Sequence, residues 1–250
     1  MTQRNVFLGI PNNHTICNET WQSVLSAQRE DTKVYSWRSQ TSLLANNFNG
    51  CVVTCLRAGK FDYYCQIHSD IEASQSFAAV LVDELEKHNL DVIHAVVPIK
   101  HNAGMTSTAV AYSDDEWDVV RRITMKELAK LPTTFDIEAI KEVYDKNAIR
   151  LLPNTGCLLM RVDDWLKDFP GFEILDKIVR TDDGGWDDKV VPEDWNFGHW
   201  CARNGVKVGG TKAVKIKHWG RQAFPNDEAW GEETDSHWLS KRAALHESSV

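Results

Sequence analysis

The strongest constraint on this chain is the alternation of short apolar runs with helically spaced segments across residues 6–99. Residues 6–10 are an apolar run closed by Pro11-Asn12-Asn13, which reads as a buried strand and a turn. Thr15 is placed to cap a helix through Gln28, with Cys17, Trp21, Val24 and Leu25 on one face. A short strand over 33–37 follows, then a helix over 42–58 whose stripe is Leu44, Phe48, Cys51 and Cys55 and whose stop is Gly59. Residues 62–67 read as a strand that ends abruptly in the polar loop His68-Ser69-Asp70-Ile71-Glu72. A helix over 74–88, with Phe77, Val80, Leu81 and Leu85 inward, leads to a buried strand over 92–99. Strand and helix in turn imply an α/β fold, a mostly parallel sheet flanked by helices. Ligands in such sheets bind beyond the carboxyl ends of the strands, and the 68–72 loop lies at one.

Beyond residue 100 the pattern is sparser. Thr124 with Glu127 forms a capping box before a short helix over 126–130. Asn154-Thr155-Gly156 is a turn before a strand over 157–161, and 163–169 reads as a short helix. Thr181-Asp182-Asp183-Gly184-Gly185 is a polar loop. Glu193-Asp194 opens a helix with Phe197 and Cys201 inward and Gly205 as its stop. Short strands over 206–208 and 214–216 precede His218-Trp219-Gly220. With no repeat, low-complexity tract or linker, the chain reads as one domain over 1–220 with a tail over 221–250.

Composition narrows the function classes. Apolar residues make up 42%, enough for a packed core, yet no run of about 18 apolar residues suggests a membrane span. The N-terminal apolar run is too short for a signal peptide. The six cysteines form no C-x-x-C pair and sit mostly in apolar stretches, as reduced thiols of a cytoplasmic protein do. A net charge of −8 disfavours sequence-independent binding to a phosphate backbone. Ten tryptophans suit stacking on sugars or bases, although core packing is the ordinary use of each.

Three constellations carry candidate chemistry. The first is the 68–72 loop, where Asp70 and Glu72 offer hard oxygen ligands for Mn²⁺ or Mg²⁺ and His68 and Ser69 lie beside them. Helix capping is the structural alternative for Asp70. The second is Glu193-Asp194, either a capping pair or a general base, with His218 able to reach the metal from across a cleft. The third is Ile10-Pro11-Asn12-Asn13, a polar turn where a nucleotide would lie.

In order and spacing these segments resemble the family-2-like glycosyltransferases, whose catalytic domain has the GT-A fold. Val6-Phe7-Leu8-Gly9-Ile10-Pro11-Asn12-Asn13 is similar to that family's opening strand, and Leu44-Ala45-Asn46-Asn47 resembles its Ala-Arg-Asn segment. Tyr63 to Glu72 resembles the strand entering the Asp-x-Asp motif, with His68 at the first Asp. Asn154 to Arg161 resembles the glycine turn and strand, Pro192 to Phe197 the Glu-Asp motif, and His218-Trp219-Gly220 the late His-x-Gly. The resemblance implies an inverting, metal-dependent transfer from a nucleoside-diphosphate sugar. It places Asp70, His218 and Glu72 on Mn²⁺ or Mg²⁺, and makes Asp194 the base with Glu193 as its neighbour. It gives Pro11, Asn13, Asn46, His68, Ser69, Asp70 and Gly156 to the donor. The segment Trp37-Arg38-Ser39-Gln40 lacks the family's Asp contact to the base, so the donor nucleotide stays open, and Asn46 stands for the family's Arg, which weakens a diphosphate contact there.

Two other readings compete. A sugar nucleotidyltransferase would want a glycine-rich basic loop after the first strand, which Pro11-Asn12-Asn13-His14 does not supply. A non-catalytic carbohydrate-binding protein would tolerate His68 in place of Asp. The acceptor is a glycan, a lipid-linked sugar, a protein or a modified nucleobase. The tail, with Trp230, Gly231 and Trp238, is either a surface-packed terminus or a lid over the donor.

Overall fold

The computed structural model describes residues 3–13, 15–220 and 222–231. Its first half follows the alternation: β1 (Arg4–Asn12), α1 (Asn18–Leu25), β2 (Thr32–Gln40), α2 (Leu44–Ala58), β3 (Tyr63–Ile67), β4 (Ile71–Ala73), α3 (Phe77–Lys87) and β5 (Val92–Ala95). The second half is more broken: β6 (Met105–Ala111), β7 (Val120–Thr124), α4 (Met125–Leu128), β8 (Thr134–Phe135), α5 (Ile137–Val143), β9 (Arg150–Leu152) and β10 (Cys157–Arg161). It ends with α6 (Asp164–Asp168), β11 (Leu175–Arg180), β12 (Trp186–Val191), α7 (Glu193–Arg203), β13 (Val208–Thr211), β14 (Ile216–Trp219) and β15 (Ala223–Pro225).

The central sheet has seven strands in the order β2-β1-β3-β10-β5-β13-β8. The β1–β2, β1–β3 and β5–β13 pairs are parallel, while β10 runs against both β3 and β5, and β8 against β13. The sheet is therefore mostly parallel with two reversed strands. Its two faces follow from strand periodicity. Val6, Leu8 and Ile10 of β1, Cys65 and Ile67 of β3 and Leu159 of β10 point to one core, filled by Phe77, Leu81 and Leu85 of α3. Phe7, Tyr64, Leu158 and Met160 point to the other, filled by Phe48, Cys51 and Cys55 of α2 and by Phe197 and Cys201 of α7. Gly9 faces this second core because α2 lies directly on it: a Cβ there would come 2.8 Å from the Cys51 Cβ.

Local readings are corrected in several places. The cap of α1 is Cys17, whose thiol accepts the Thr20 amide, and not Thr15. Trp21 and Leu25 of that helix are exposed, and so is Leu44 of α2, so their predicted inward faces are narrower than periodicity suggests. Gly59 closes α2 in the left-handed conformation at φ 62°, and the Thr124–Glu127 capping box forms as expected. Residues 71–73 are a strand and not loop. Two late strands begin two residues beyond their expected starts, at Val208 and Ile216.

The sheets outside the centre were not legible in the pattern. β6, β7 and β9 form one antiparallel sheet, β11 and β12 a hairpin, and β15-β14-β4 a third small sheet. The described part of the tail packs on the body, with the Asn226 carboxamide donating to the Val96 carbonyl at 3.0 Å and the Trp230 ring against the core that holds Val96 and Met125. Trp238 lies outside the described residues. No helix among the described residues is long and apolar enough to cross a membrane.

Replacing Gly9 by Ala should test the α2–β1 contact. Overpacking against Cys51 is expected to cost about 1–3 kcal/mol, seen as a lower urea midpoint. An unchanged midpoint would show that α2 does not rest on β1 as described.

Candidate functional site

The site begins where β3 ends. The backbone of His68-Ser69-Asp70 is pinned by three distant segments. His68 N donates to the Gly156 carbonyl at 2.8 Å, Cys17 N to the Ser69 carbonyl at 2.8 Å, and Trp219 N to the Asp70 carbonyl at 2.8 Å. β4 then pairs antiparallel with β14, setting His218 opposite Ile71 and Lys217 opposite Glu72. This register brings the His218 Nε2 to 3.6 Å from the Asp70 Oδ2. The other ring nitrogen, Nδ1, donates to the Pro98 carbonyl at 2.7 Å, so in the neutral ring the Nε2 lone pair faces Asp70.

Glu72 does not join them. Neighbouring positions on a strand face opposite ways, so Glu72 shares its face with Lys217 and not with His218. Its two oxygens accept from Lys217 Nζ and Trp219 Nε1, each at 2.9 Å. The ammonium of Lys100 takes the place beside Asp70 instead, hydrogen-bonded to Oδ2. Burial alone would raise the Asp70 carboxyl, but the His218 ring in its protonated form and the Lys100 ammonium hold it well below the usual range. His68 is stacked on Phe48 at 5.2 Å, and its Nε2 is shielded and has no hydrogen-bond partner. Burial lowers its pKa to about 4, so the ring is neutral at neutral pH.

On the other side of the turn 154–156 lies the carboxyl pair. The Asn154 carboxamide folds this turn onto itself, accepting the Gly156 amide at 3.1 Å and donating to the Ala95 carbonyl at 3.0 Å. Gly156 is closely approached, since a Cβ there would stand 3.1 Å from a Val97 methyl. Thr155 reaches Glu193 through its hydroxyl at 3.4 Å, while its carbonyl accepts from Gln66 at 3.0 Å. One turn thus joins the His68 loop to the start of α7.

Glu193 and Asp194 occupy the first turn of α7. Asp194 Oδ1 accepts the Trp195 amide at 2.8 Å, and the Arg122 guanidinium lies over the Trp195 ring at 4.6 Å. Burial pushes both carboxyls up, and the Glu193 charge pushes Asp194 further, against a smaller opposing pull from Arg122. Two adjacent acids that resist joint ionisation are typical of proton-transfer sites.

The third group lies at the ends of β1 and β2. Pro11 and Asn12 are buried within β1, while Asn13 is exposed just beyond it. Asn12 carries the structural weight: its Oδ1 accepts from Arg38 at 3.1 Å, its carbonyl accepts from Asn47 at 3.1 Å, and its buried Nδ2 has no partner. Asn46 is exposed on α2, and the neighbouring Asn47, 1% exposed, is the one turned inward. Sequence reasoning missed Asn47, Arg38, Thr155 and Lys100. Helical phase separates Asn47 from Asn46, since the stripe through Phe48 and Cys51 runs beside position 47. Nothing local to Lys100 marks it.

Comparisons with known proteins bear on the fold alone. No protein-family model matches this chain, and no curated protein matches it. Among solved structures, A197 from STIV superposes with a TM-score of 0.52 over 92% of this chain and 95% of that one, at 14% identity. CMP:2-keto-3-deoxy-manno-octonic acid synthetase complexed with CTP gives 0.42 over 99% and 100%, at 11% identity, a likeness too loose to argue from.

The half-buried acid at 194 has a consequence for stability. Because folding raises the Asp194 pKa, the folded chain holds its proton more tightly than the unfolded chain does. Stability is therefore lost as pH rises from the ordinary aspartate range through the raised value. Asp194→Asn removes that penalty. The variant should match the wild type near pH 4 and exceed it by about 1 kcal/mol or more at neutral pH, by urea unfolding. A variant less stable at neutral pH would contradict an acid whose burial outweighs its partners.

Proposed function

We propose that this protein transfers a sugar from a nucleoside-diphosphate sugar to an acceptor hydroxyl. The observation that carries the proposal is the meeting of Asp70 and His218 at 3.6 Å at the carboxyl end of β3, with the Glu193-Asp194 pair across the 154–156 turn. The A197 likeness supports the layered α/β frame and says nothing of the reaction.

The residues suit a divalent cation. Asp70 supplies a carboxylate held ionised, and His218 supplies an imidazole nitrogen whose ring is anchored through a backbone carbonyl. The neutral, unpartnered His68 Nε2 lies close enough for Asp70 to perturb it. A carboxylate with imidazoles suits Mn²⁺ better than Mg²⁺. Among the described residues no group of three or more His, Cys, Asp or Glu side chains is arranged to hold a metal, so phosphate oxygens and water would have to complete the shell. Bound there, the cation would supply charge to offset that on a departing diphosphate.

The chain's own residues divide the remaining work. Asp194 accepts the proton of the acceptor hydroxyl, whose oxygen forms the new bond to the anomeric carbon as the bond to the diphosphate breaks on the opposite side. A single in-line step of this kind inverts the anomeric centre. A carboxylate raised toward neutrality is a better base than an ordinary one, and Glu193 contributes by raising it. The Asn12 Nδ2, with Arg38 and Asn47, faces the donor's nucleoside end, which the sequence reading set at the turn of Pro11 and Asn13. Ser69 and Gly156 serve through their backbones, which fix the loop that carries Asp70.

A donor screen tests this. Each nucleoside-diphosphate sugar is incubated with Mn²⁺ and released nucleoside diphosphate is measured; at least one donor should be turned over. Asp70→Ala and Asp194→Asn should each lower transfer by roughly 10²–10⁴-fold with the fold intact. Full turnover in Asp194→Asn would remove that residue from the mechanism. The rate should rise with pH and level off above the ordinary carboxylate range, because only ionised Asp194 can take a proton. A rate flat across that range would contradict the assignment of the base.

A further inference from the structure

Lys100 stands at the cation corner without a place in the mechanism above. Its ammonium bonds the same Asp70 oxygen that His218 Nε2 approaches at 3.6 Å. A divalent ion on that carboxylate would lie against the ammonium, so the two cations compete for Asp70. The Lys100 backbone is fixed nearby, because His218 Nδ1 donates to Pro98 O and Ile99 N donates to Met105 O at 2.9 Å. Any change therefore falls on the side chain. That side chain is 35% exposed, and ion pairs so placed are weak enough to exchange.

Its path is open. Gly220 lies against the Lys100 stem, and a Cβ at 220 would stand 3.1 Å from the Lys100 Cδ. The glycine that closes His218-Trp219-Gly220 thus keeps room for the lysine arm. Beside it lies an open cavity of about 490 Å³, lined by Lys100, His101, Asn102, Gly220, Gln222 and Phe224. The ammonium has space to leave Asp70 and still remain at the mouth of the corner.

We infer that Lys100 is a resident counter-cation: it holds Asp70 until a divalent ion displaces it, then places its charge on the diphosphate that the ion brings. The inference rests on the reading of the corner as a cation and diphosphate site. It follows that Lys100 opposes the metal when the metal is alone and assists the anion when both are present. One residue thereby couples the two ligands in opposite senses.

Calorimetric titration separates those two effects, with Mn²⁺ alone and with inorganic pyrophosphate in the presence of Mn²⁺, on the wild type, Lys100→Met and Lys100→Arg. Lys100→Met should bind Mn²⁺ about fivefold tighter, having lost the competing ion pair. It should bind pyrophosphate about tenfold more weakly, having lost a charge-assisted contact. Lys100→Arg keeps the charge and should stay close to the wild type in both titrations. Thermal unfolding shows that each variant is folded. Unchanged Mn²⁺ affinity in Lys100→Met, unchanged pyrophosphate affinity, or no Mn²⁺ binding to any of the three overturns the inference. No sugar enters these titrations. If they come out as expected while no donor is turned over, the transferase reading fails and the role of Lys100 stands.

Discussion

The antiparallel pairing of β4 with β14 is the contact on which the rest of the site depends. Three residues, Ile71–Ala73, leave the central sheet to pair with a strand nearly 150 positions later. That register decides which side chains meet. With His218 opposite Ile71, the imidazole turns toward Asp70, while Lys217 and Trp219 turn the other way and occupy Glu72. A slip of one residue would exchange the two faces and place Lys217 where His218 stands. Backbone bonds at both ends guard against the slip: Trp219 N to Asp70 O, and Ser74 N to Lys215 O.

The carboxyl pair shows the opposite economy. The 154–156 turn locks the loop to the start of α7 through ordinary satisfied hydrogen bonds, yet delivers two acids into a shielded place where both are pushed toward the neutral form. Arg122 offsets part of this cost, and the amide of Trp195 at the α7 N-terminus a smaller part. Strain of this kind persists when the surroundings fix it, and here α7 is held by Phe197 and Cys201 in the second core.

Much of the frame was legible in the sequence because it follows from periodicity. The runs expected over 62–67 and 157–161 are strands and that over 92–99 is one as far as Ala95, while the stripes of α2 and α3 face the sheet as spaced, Leu44 and the half-buried Val80 apart. Candidate residues could be named from the sequence where the end of an element carried them, as with His68, Ser69 and Asp70 after β3, Glu193 and Asp194 at the start of α7, and His218 late in the chain. The misplacements are errors of phase. Asn46 and Asn47 differ by one helical position, and Glu72 lies in strand where the pattern reads loop. Lys100 is a different case, since only the fold sets a residue after β5 against one after β3. The sheet of β6, β7 and β9 was hidden because its strands are irregular, with a break in register between Met105 and Ala109.

The central claim is that Asp70 and His218 form one cation-binding corner. Mn²⁺ is paramagnetic and broadens the resonances of nuclei near it, so imidazole spectra recorded during a substoichiometric titration locate it directly. The account predicts that the His218 signals broaden first and those of His68 next, with His88, on the far end of α3, unaffected. Broadening that begins at His88 or at no described histidine, with His218 sharp throughout, would contradict it.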